Sequence, residues 1–121
     1  MRYMLLIYGE ETGRDAEAMR DITPWFAYTT WLQEQGMYLA GDPLEDSVTA
    51  TTVRVRDGQR LITDGPFAET KEVLGGYYLI EAPDLDRAIE AAARCPGALW
   101  GSMEVRPLGT MPGAQPEDAP A

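Results

Sequence analysis

Histidine is absent from this 121-residue sequence. Imidazole is the usual general base near neutral pH and a common metal ligand, so a Ser-His-Asp triad and a histidine metal site are excluded. The chain has one cysteine, Cys95, which excludes an intrachain disulfide and a Cys-x-x-Cys motif. Walker loops and dinucleotide-binding glycine motifs are also missing. We therefore predict no cofactor and no metal ion.

Basic residues are scarce as well. Lys and Arg together number 10 against 20 Asp and Glu, which gives a net charge of -10. Proteins that bind nucleic acid or anionic membranes need a positive surface, so both partners are disfavoured. The longest apolar run near the start covers residues 4–8, far short of the roughly 20 residues that span a bilayer. Without a signal-peptide pattern, a cytoplasmic location is expected.

The length and composition fit a single globular domain. A hydrophobic share of 45% and a charged share of 25% are ordinary for such a domain and provide enough apolar mass for a core. We place the domain at residues 1–107. Residues 108–121 contain several prolines and little apolar surface, which predicts a flexible C-terminal tail.

Short apolar or alternating runs that end at glycine or proline predict six strands. They cover residues 3–8, 37–40, 51–56, 60–63, 74–81 and 99–105. Gly41-Asp42-Pro43 is interpreted as a turn after the second strand, and Asp57-Gly58 as a tight hairpin turn. Strict alternation in residues 51–56 predicts that one face of that hairpin is apolar and shielded from solvent, which we call the dry face. Gly75-Gly76 permits a β-bulge or the close approach of another backbone at the start of the next strand.

Two convincing helices are predicted between these strands. The first covers residues 24–35, with Thr23 as its N-cap, Pro24 at its first position and Gly36 at its end. The second begins after Asp84, its N-cap, and ends at Pro96-Gly97. The core-facing residues expected from their spacing are Trp25, Tyr28, Thr29 and Leu32 in the first helix, and Leu85, Ala88, Ile89 and Ala92 in the second.

The order of these elements predicts an α+β fold. Strand-helix-strand units at the two ends flank a central hairpin, which is typical of a ferredoxin-like antiparallel sheet with both helices on one face. The second face of such a sheet is uncovered. We therefore expect a homodimer in which two sheets pack together, with a pocket between the sheet and the helices.

One segment is unusual enough to suggest a family. Residues 64–72 have the sequence DGPFAETKE and are followed by LGGYY. This segment, together with RYMLLIY at the start, TTVRVRDG in the hairpin and AARCP and EVRP near the end, resembles the DGPF family of YCII-related proteins. The resemblance covers roughly residues 1–107. It implies a dimeric α+β barrel, in agreement with the fold predicted above.

The resemblance implies less about activity. Members of the family are mostly bacterial cytoplasmic proteins without an assigned reaction, often found beside or fused to extracytoplasmic-function sigma factors. Proteins of the wider fold group include muconolactone isomerases and cofactor-free monooxygenases, which is an analogy of fold only. In the shorter YCII branch a helix histidine paired with an aspartate is the suspected catalytic couple. The matching region here, residues 23–26, has no histidine, so that couple cannot operate.

The DGPF segment supplies the candidate site residues. A carboxylate in an apolar pocket can act as an acid or base, and we expect Asp64 to fill that role at the end of its strand. Lys71, the only lysine of the chain, and Glu72 would position an anionic or carbonyl group of a small ligand. Further ligand-binding candidates are Phe67, Glu69 and Asp42. Asp42 and Glu45, just after the second strand, can complete an acidic pair with Asp64, although a role in the turn is favoured for them.

A structural interpretation of the same residues stays open. Asp64 can cap a turn, Phe67 can plug the loop, and residues 69–72 can form a local ion-pair and hydrogen-bond lock. Two functions remain open accordingly: a cofactor-free enzyme or ligand binder for a small molecule, or a non-catalytic accessory protein linked to sigma factors. A closed cavity holding a carboxylate favours the first function, whereas an exposed apolar groove favours the second.

Overall fold

A computed structural model describes residues 1–111 of the chain. Its strands are β1 (Arg2–Gly9), β2 (Tyr38–Pro43), β3 (Thr51–Arg56), β4 (Gln59–Asp64), β5 (Val73–Glu81) and β6 (Ser102–Pro107). Its helices are α1 (Arg14–Met19), α2 (Ile22–Glu34), α3 (Leu85–Arg94) and α4 (Pro96–Trp100), with a 3-10 turn at Ser47–Thr49. Within residues 1–111, no helix has the length and apolar character needed to cross a membrane.

Four of the strands form one antiparallel sheet in the order β2-β5-β1-β6. This order, with α2 between β1 and β2 and α3 between β5 and β6, is the ferredoxin-like α+β arrangement and confirms the predicted fold class. Alternate residues of β1 are buried and pack with residues of α2 and α3 in one hydrophobic core. The core centres on Tyr3, Leu5, Leu32, Ile80 and Cys95, which are almost completely buried.

The β-bulge that the glycine pair permits is present in β5. Ile7 is opposite Gly76 and Tyr8 is opposite Leu74, so Gly75 is the extra residue of β5. The bulge lies where the sheet borders the cavity described below, and a bulge typically increases the local twist of a strand.

Helix α2 begins two residues earlier than predicted, and its cap differs. The Asp21 carboxylate accepts a hydrogen bond from the backbone N–H of Thr23 at 3.1 Å, so Asp21 is the N-cap and Thr23 lies inside the first turn. A proline in the first turn is compatible with either start, because no N–H there has a partner within the helix. The helix end is as predicted, with Gly36 at φ 69°.

Strand β2 continues through the segment predicted as a turn. Gly41, Asp42 and Pro43 pair with β5 opposite Tyr78, Tyr77 and Gly76. Gly41 is needed for this pairing, since a Cβ at that position would lie 2.6 Å from Cδ1 of Tyr78. The Gly-Asp-Pro sequence therefore provides close packing at an edge strand instead of a reversal, a place where proline is tolerated.

The C-terminal elements differ from the prediction in two respects. Leu85 and Ile89 are about half exposed, and the buried side of α3 is formed by Ala88, Ala91 and Ala92. Pro96 ends α3 but starts α4, which takes up the first residues of the predicted last strand, and β6 begins only at Ser102. Proline is favoured at the first helical position, so the same residue both stops one helix and opens the next.

The central hairpin forms a separate two-stranded sheet. Its turn is as predicted, with Asp57 at φ 52° and Gly58 at φ 74°. The predicted dry face is wrong for the single chain: Val53, Val55 and Ile62 share one face and are each 57–60% exposed. Nothing else in the described chain packs over that face.

The predicted C-terminal tail, residues 108–121, falls outside the described residues from position 112 onward. At its start, the backbone N–H of Leu108 donates to the carbonyl of Arg2 at 3.0 Å. The proposed boundary at residue 107 and the flexibility of the tail stay predictions.

Candidate functional site

A cavity of about 520 Å³ lies between the helix-facing side of the sheet and helices α1 and α2; we call it the sheet–helix cavity. Apolar side chains line most of it, contributed by β1, α1, α2, the segment after β2 and the start of β5: Ile7, Met19, Ile22, Trp25, Leu44 and Val73. A pocket between sheet and helices was the place expected for a ligand.

Two glycines on the helix-facing side of the sheet leave room for this cavity. Gly41 and Gly76 both line it, and each lies against backbone or ring atoms that leave little space for a side chain. The opposite wall is fixed by Trp25, whose indole Nε1–H donates to the carbonyl of Met19 at 2.8 Å and joins α1 to α2. The walls therefore belong to regular, packed elements.

A pair of hydroxyl groups lies at the inner end of the sheet–helix cavity. Thr29 Oγ1 on α2 and the Tyr78 hydroxyl on β5 are 2.7 Å apart and share one hydrogen bond. The Tyr78 ring packs edge-to-face against Tyr28, with centroids 5.3 Å apart. Burial raises the pKa of Tyr78, so its hydroxyl keeps its proton at neutral pH.

Carboxylates gather at the mouth. Five acidic residues and one basic residue, Arg20, line the cavity: the acids are Glu10, Glu11, Asp42, Glu45 and Asp46. The backbone N–H of Ser47 donates to Glu11 Oε2 at 2.6 Å, and the Ser47 hydroxyl donates to Oε1. These hydrogen bonds lower the pKa of Glu11, because they stabilise its ionised form.

Asp42 borders the cavity, but its side chain belongs to the other face of the sheet. The Tyr77 hydroxyl donates to Asp42 Oδ2 at 3.0 Å, and this bond raises the pKa of Tyr77. Because strand residues alternate between faces, and the neighbouring Tyr78 is on the helix side, Tyr77 and Asp42 form a pair on the helix-free side. The predicted acidic pair of Asp42 with Asp64 is not formed.

Asp64 lines a second, adjoining cavity of about 460 Å³, which we call the loop cavity. Glu69 lines it as well, and Glu11 and Val73 border both cavities. The Asp64 side chain is exposed, and Asp64 is not among the residues that line the sheet–helix cavity. The structure thus brings Asp64 and Glu69 together, beside the larger cavity instead of inside it.

The other residues of the DGPF segment face outward. Lys71 is 87% exposed and its Nζ lies 3.4 Å from Glu10 Oε1. Glu72 Oε1 accepts a hydrogen bond from the Ser102 hydroxyl at 2.7 Å. Phe67 is 77% exposed, with the Arg54 guanidinium carbon 5.1 Å from its ring centroid. Lys71, Glu72 and Phe67 line neither of the two cavities.

The structural interpretation is matched only in part, because Lys71 pairs with Glu10 outside residues 69–72 and the backbone of Gly65, instead of the Asp64 side chain, forms the bonds at the turn. Gly65 N–H donates to the carbonyl of Ala50 at 2.7 Å, and Thr52 Oγ1 donates to the carbonyl of Gly65 at 2.9 Å. The Thr70 hydroxyl donates to the carbonyl of Glu72. These bonds attach the start of the loop to the hairpin and close its end.

Sequence reasoning missed most of the polar residues at the sheet–helix cavity. Glu10 and Glu11 directly follow the glycine that ends β1, and carboxylates at a strand end are a signal that was available. Thr29 was assigned to the core-facing side of α2, without its contact to Tyr78. That contact joins residues 49 positions apart, which no local pattern predicts.

Metal ligation has no evident place in the described chain. In residues 1–111, no group of three or more acidic or cysteine side chains is arranged to hold an ion. Cys95 is buried beneath α3, and burial raises the pKa of its thiol to about 12. A thiol in this state is a poor nucleophile, because the reactive thiolate is scarce at neutral pH.

Comparison with known proteins gives the family. The YCII-related domain matches residues 1–112. An uncharacterized protein of Rhizobium meliloti (strain 1021) is 37% identical over 117 residues, which cover 89% of this chain and 92% of the relative. A solved structure, 5-chloro-2-hydroxyhydroquinone dehydrochlorinase of Burkholderia phenoliruptrix AC1100 in complex with 2,5-dihydroxybenzoquinone, aligns with a TM-score of 0.49 at 14% identity, over 90% of this chain and 94% of that one. On the strength of the domain match and the relative, the chain belongs to the YCII-related family.

Proposed function

We propose that the chain binds a small organic molecule in the sheet–helix cavity and acts as a cofactor-free enzyme or ligand binder. The observation that carries the proposal is the cavity itself, whose volume of about 520 Å³ falls in the usual range for ligand sites. Its apolar walls and the inner Thr29–Tyr78 hydroxyl pair match the usual make-up of such sites, where a few polar groups orient an apolar ligand.

The sequence has no histidine, so this proposal assigns acid–base chemistry to the carboxylates, which are the most numerous ionisable groups at the cavity. Glu11 borders both cavities and is held ionised by Ser47, so in this proposal it accepts a hydrogen bond from the ligand. Asp64 is the proposed acid or base for a ligand that extends into the loop cavity, with Glu69 beside it. Lys71 and Glu72 act on the ligand only indirectly in this proposal. Lys71 holds Glu10 in place through their ion pair, and Glu72 holds its end of the loop through its hydrogen bond from Ser102.

A cavity-blocking variant tests this proposal. Ile22 lines the cavity at the start of α2 and is 64% exposed, so Ile22→Trp fills the opening without overpacking the core. Phe26→Trp is the matched control, since Phe26 lies one turn later, is 68% exposed and does not line the cavity. A library of uncharged small organic molecules is screened by NMR through the indole N–H signal of Trp25.

We expect several compounds to shift the Trp25 signal in the wild-type protein and in Phe26→Trp, and to lose this effect in Ile22→Trp. The proposal fails if no compound moves the signal, or if the blocked variant binds as well as the control.

A homodimer is part of the proposal. Support comes from the central hairpin, where Val53, Val55 and Ile62 present an apolar face to solvent that a second copy would cover. The cytoplasmic location predicted from the sequence is retained.

The alternative is a non-catalytic accessory protein, with the sigma-factor link implied by the family resemblance. The same exposed hairpin face favours it, because a protein partner would cover that face equally well. A chain that stays monomeric and binds no compound in the sheet–helix cavity would support this alternative over the first function.

A further inference from the structure

The lining of the sheet–helix cavity is strongly unbalanced in charge. Its lining residues include one guanidinium and five acids, four of which have their carboxylates on the cavity side because the Asp42 side chain lies on the other face of the sheet, and the chain has a net charge of -10. Arg20 forms no ion pair with these carboxylates within residues 1–111, and its Nη2 donates to the backbone carbonyl of Glu11 at 2.7 Å; its charge helps to stabilise ionised Glu11 but is one against several. A ligand that enters this cavity therefore passes through a negative potential.

Three of the five carboxylates have partners that hold them, and two do not. Glu10 is paired with Lys71, Glu11 with Ser47 and Asp42 with Tyr77. Within residues 1–111, the side chains of Glu45 and Asp46 form no hydrogen bond or ion pair. Both lie in the segment between β2 and the 3-10 turn, at the mouth of the cavity. They are available to a cationic group.

The inner end of the cavity offers a proton. Thr29 and Tyr78 together carry two hydroxyl protons, and one of them is used in the bond between the two oxygens. Neither hydroxyl forms another hydrogen bond within the described chain, so one donor is left over. A carbonyl or hydroxyl oxygen of a ligand is its natural acceptor.

From these features we infer that the sheet–helix cavity takes an amine-bearing organic molecule and discriminates against anions. The ligand's cationic group lies at Glu45 and Asp46, its apolar body lies against the walls, and an oxygen atom accepts a hydrogen bond from the Thr29–Tyr78 pair. This inference rests on the proposed function and adds the class of ligand.

Three probes of nearly equal size and different charge test the inference: benzylamine, benzyl alcohol and benzoate. Their dissociation constants are measured by NMR titration of the Trp25 indole signal at low ionic strength. We expect benzylamine to bind about tenfold more tightly than benzoate, with benzyl alcohol between them, because charge at the mouth acts oppositely on the two ions. Added salt should reduce the difference.

The double variant Glu45→Gln/Asp46→Asn removes the two unpartnered charges from an exposed segment. We expect it to shrink the ratio between benzylamine and benzoate several-fold and to leave benzyl alcohol unchanged. The matched control is Asp57→Asn/Asp86→Asn, which makes the same change in net charge at exposed positions outside the cavity and should keep the wild-type ratio.

The hydroxyl pair is tested separately with Thr29→Val/Tyr78→Phe, which keeps the shapes of the two side chains and removes both hydroxyls. Benzyl alcohol is compared with toluene, and its advantage over toluene should fall about fivefold in the variant if the pair holds a ligand oxygen. An unchanged advantage would overturn that part of the inference.

The outcomes separate the two proposals. Benzoate binding as tightly as benzylamine in the wild-type protein would overturn the inferred ligand class while leaving a ligand site in the cavity. If none of the probes, and no compound of the uncharged library, perturbs Trp25, the inference and the proposed function fail together.

Discussion

At the residue scale, Gly101 shows how closely the two ends of the fold approach each other. A Cβ at this position would lie 2.1 Å from the carbonyl oxygen of Tyr8, and backbone atoms cannot move aside as a flexible side chain can. We expect Gly101→Ala to lower the free energy of unfolding by about 2–4 kcal/mol. Urea denaturation measures the loss, and Gly109→Ala is the control because a Cβ there meets nothing within 4 Å. Equal stabilities of the two variants would contradict the prediction.

The buried thiol of Cys95 leads to a prediction about the stability of the protein at alkaline pH. Burial raises the pKa of its thiol to about 12, whereas a thiol in an unfolded chain has a pKa of about 8.5. The folded state therefore holds the proton more tightly, and this stabilisation is complete below pH ~8.5 and is lost as the pH rises toward 12. At pH 10 the loss is about 2 kcal/mol.

Urea denaturation at pH 7, 8.5 and 10 measures this loss. Cys95→Ala is the comparison, because its free energy of unfolding should fall less over the same interval. The result that would contradict us is an identical decline in the two proteins.

The candidate site residues show what single residues can and cannot predict. The DGPF motif identified the family from residue types alone, since a fixed order of letters needs no geometry. It did not predict that Asp64 would lie beside the loop cavity while the larger cavity formed around Thr29, Tyr78 and Glu11. Cavities form where distant segments meet, so residue identity alone does not locate them.

At the element scale, the N-terminus of helix α2 leads to a prediction about which residue stabilises it as the N-cap. Asp21 accepts the hydrogen bond from Thr23 N–H, and Thr23 caps nothing with its own side chain in the described chain. We expect Asp21→Ala to lower the free energy of unfolding by about 1 kcal/mol. Thr23→Ala should change it by less than about 0.5 kcal/mol, as exposed substitutions usually do. Thermal unfolding at fixed protein concentration distinguishes the two variants, and a larger loss in Thr23→Ala would reverse the assignment.

Most helices and strands were predictable from the sequence, whereas the ends of some of them were not. Alternation and breakers located β1, β3, β4 and β5 within one residue, because strand period and turn residues are local properties. Local rules failed at Pro96, which opens a helix as readily as it ends one, and at Gly41, whose role is set by the Tyr78 ring across the sheet. Ile89 has the spacing of a core residue, yet it is about half exposed in this structure.

At the scale of the whole molecule, the exposed apolar face of the central hairpin leads us to predict that two copies of the chain associate. Val53 and Ile62 are directly opposite each other on the apolar face, so a charge at either position would face the second copy of the proposed dimer. We expect Val53→Asp to shift the protein from dimer to monomer in sedimentation velocity experiments. Its melting temperature should become independent of protein concentration, unlike that of the wild-type dimer. Thr63→Asp, at an exposed position on the other face of the hairpin, is the control. A wild-type chain that sediments as a monomer at all concentrations would contradict the proposed dimer.

The topology was predictable because it repeats. Each end of the chain supplies strand, helix and strand, and the only compact arrangement expected for two such units is one sheet with the helices on one side. The detached hairpin was not predictable in the same way. Its alternating pattern requires a covered face, but the pattern does not say whether this chain or another provides the cover.

Lys71 gives the molecule a practical property. It is the only lysine and is 87% exposed, while the other amine, at the N-terminus, is engaged by Glu81 at 3.0 Å and by the carbonyl of Ala82 at 3.1 Å. Once the N-terminal amine has been blocked, an amine-reactive dye should attach at one place, next to Glu10 at the mouth of the sheet–helix cavity. A fluorophore fixed there would change its emission when a ligand enters, so the chain carries a built-in attachment point for a binding sensor.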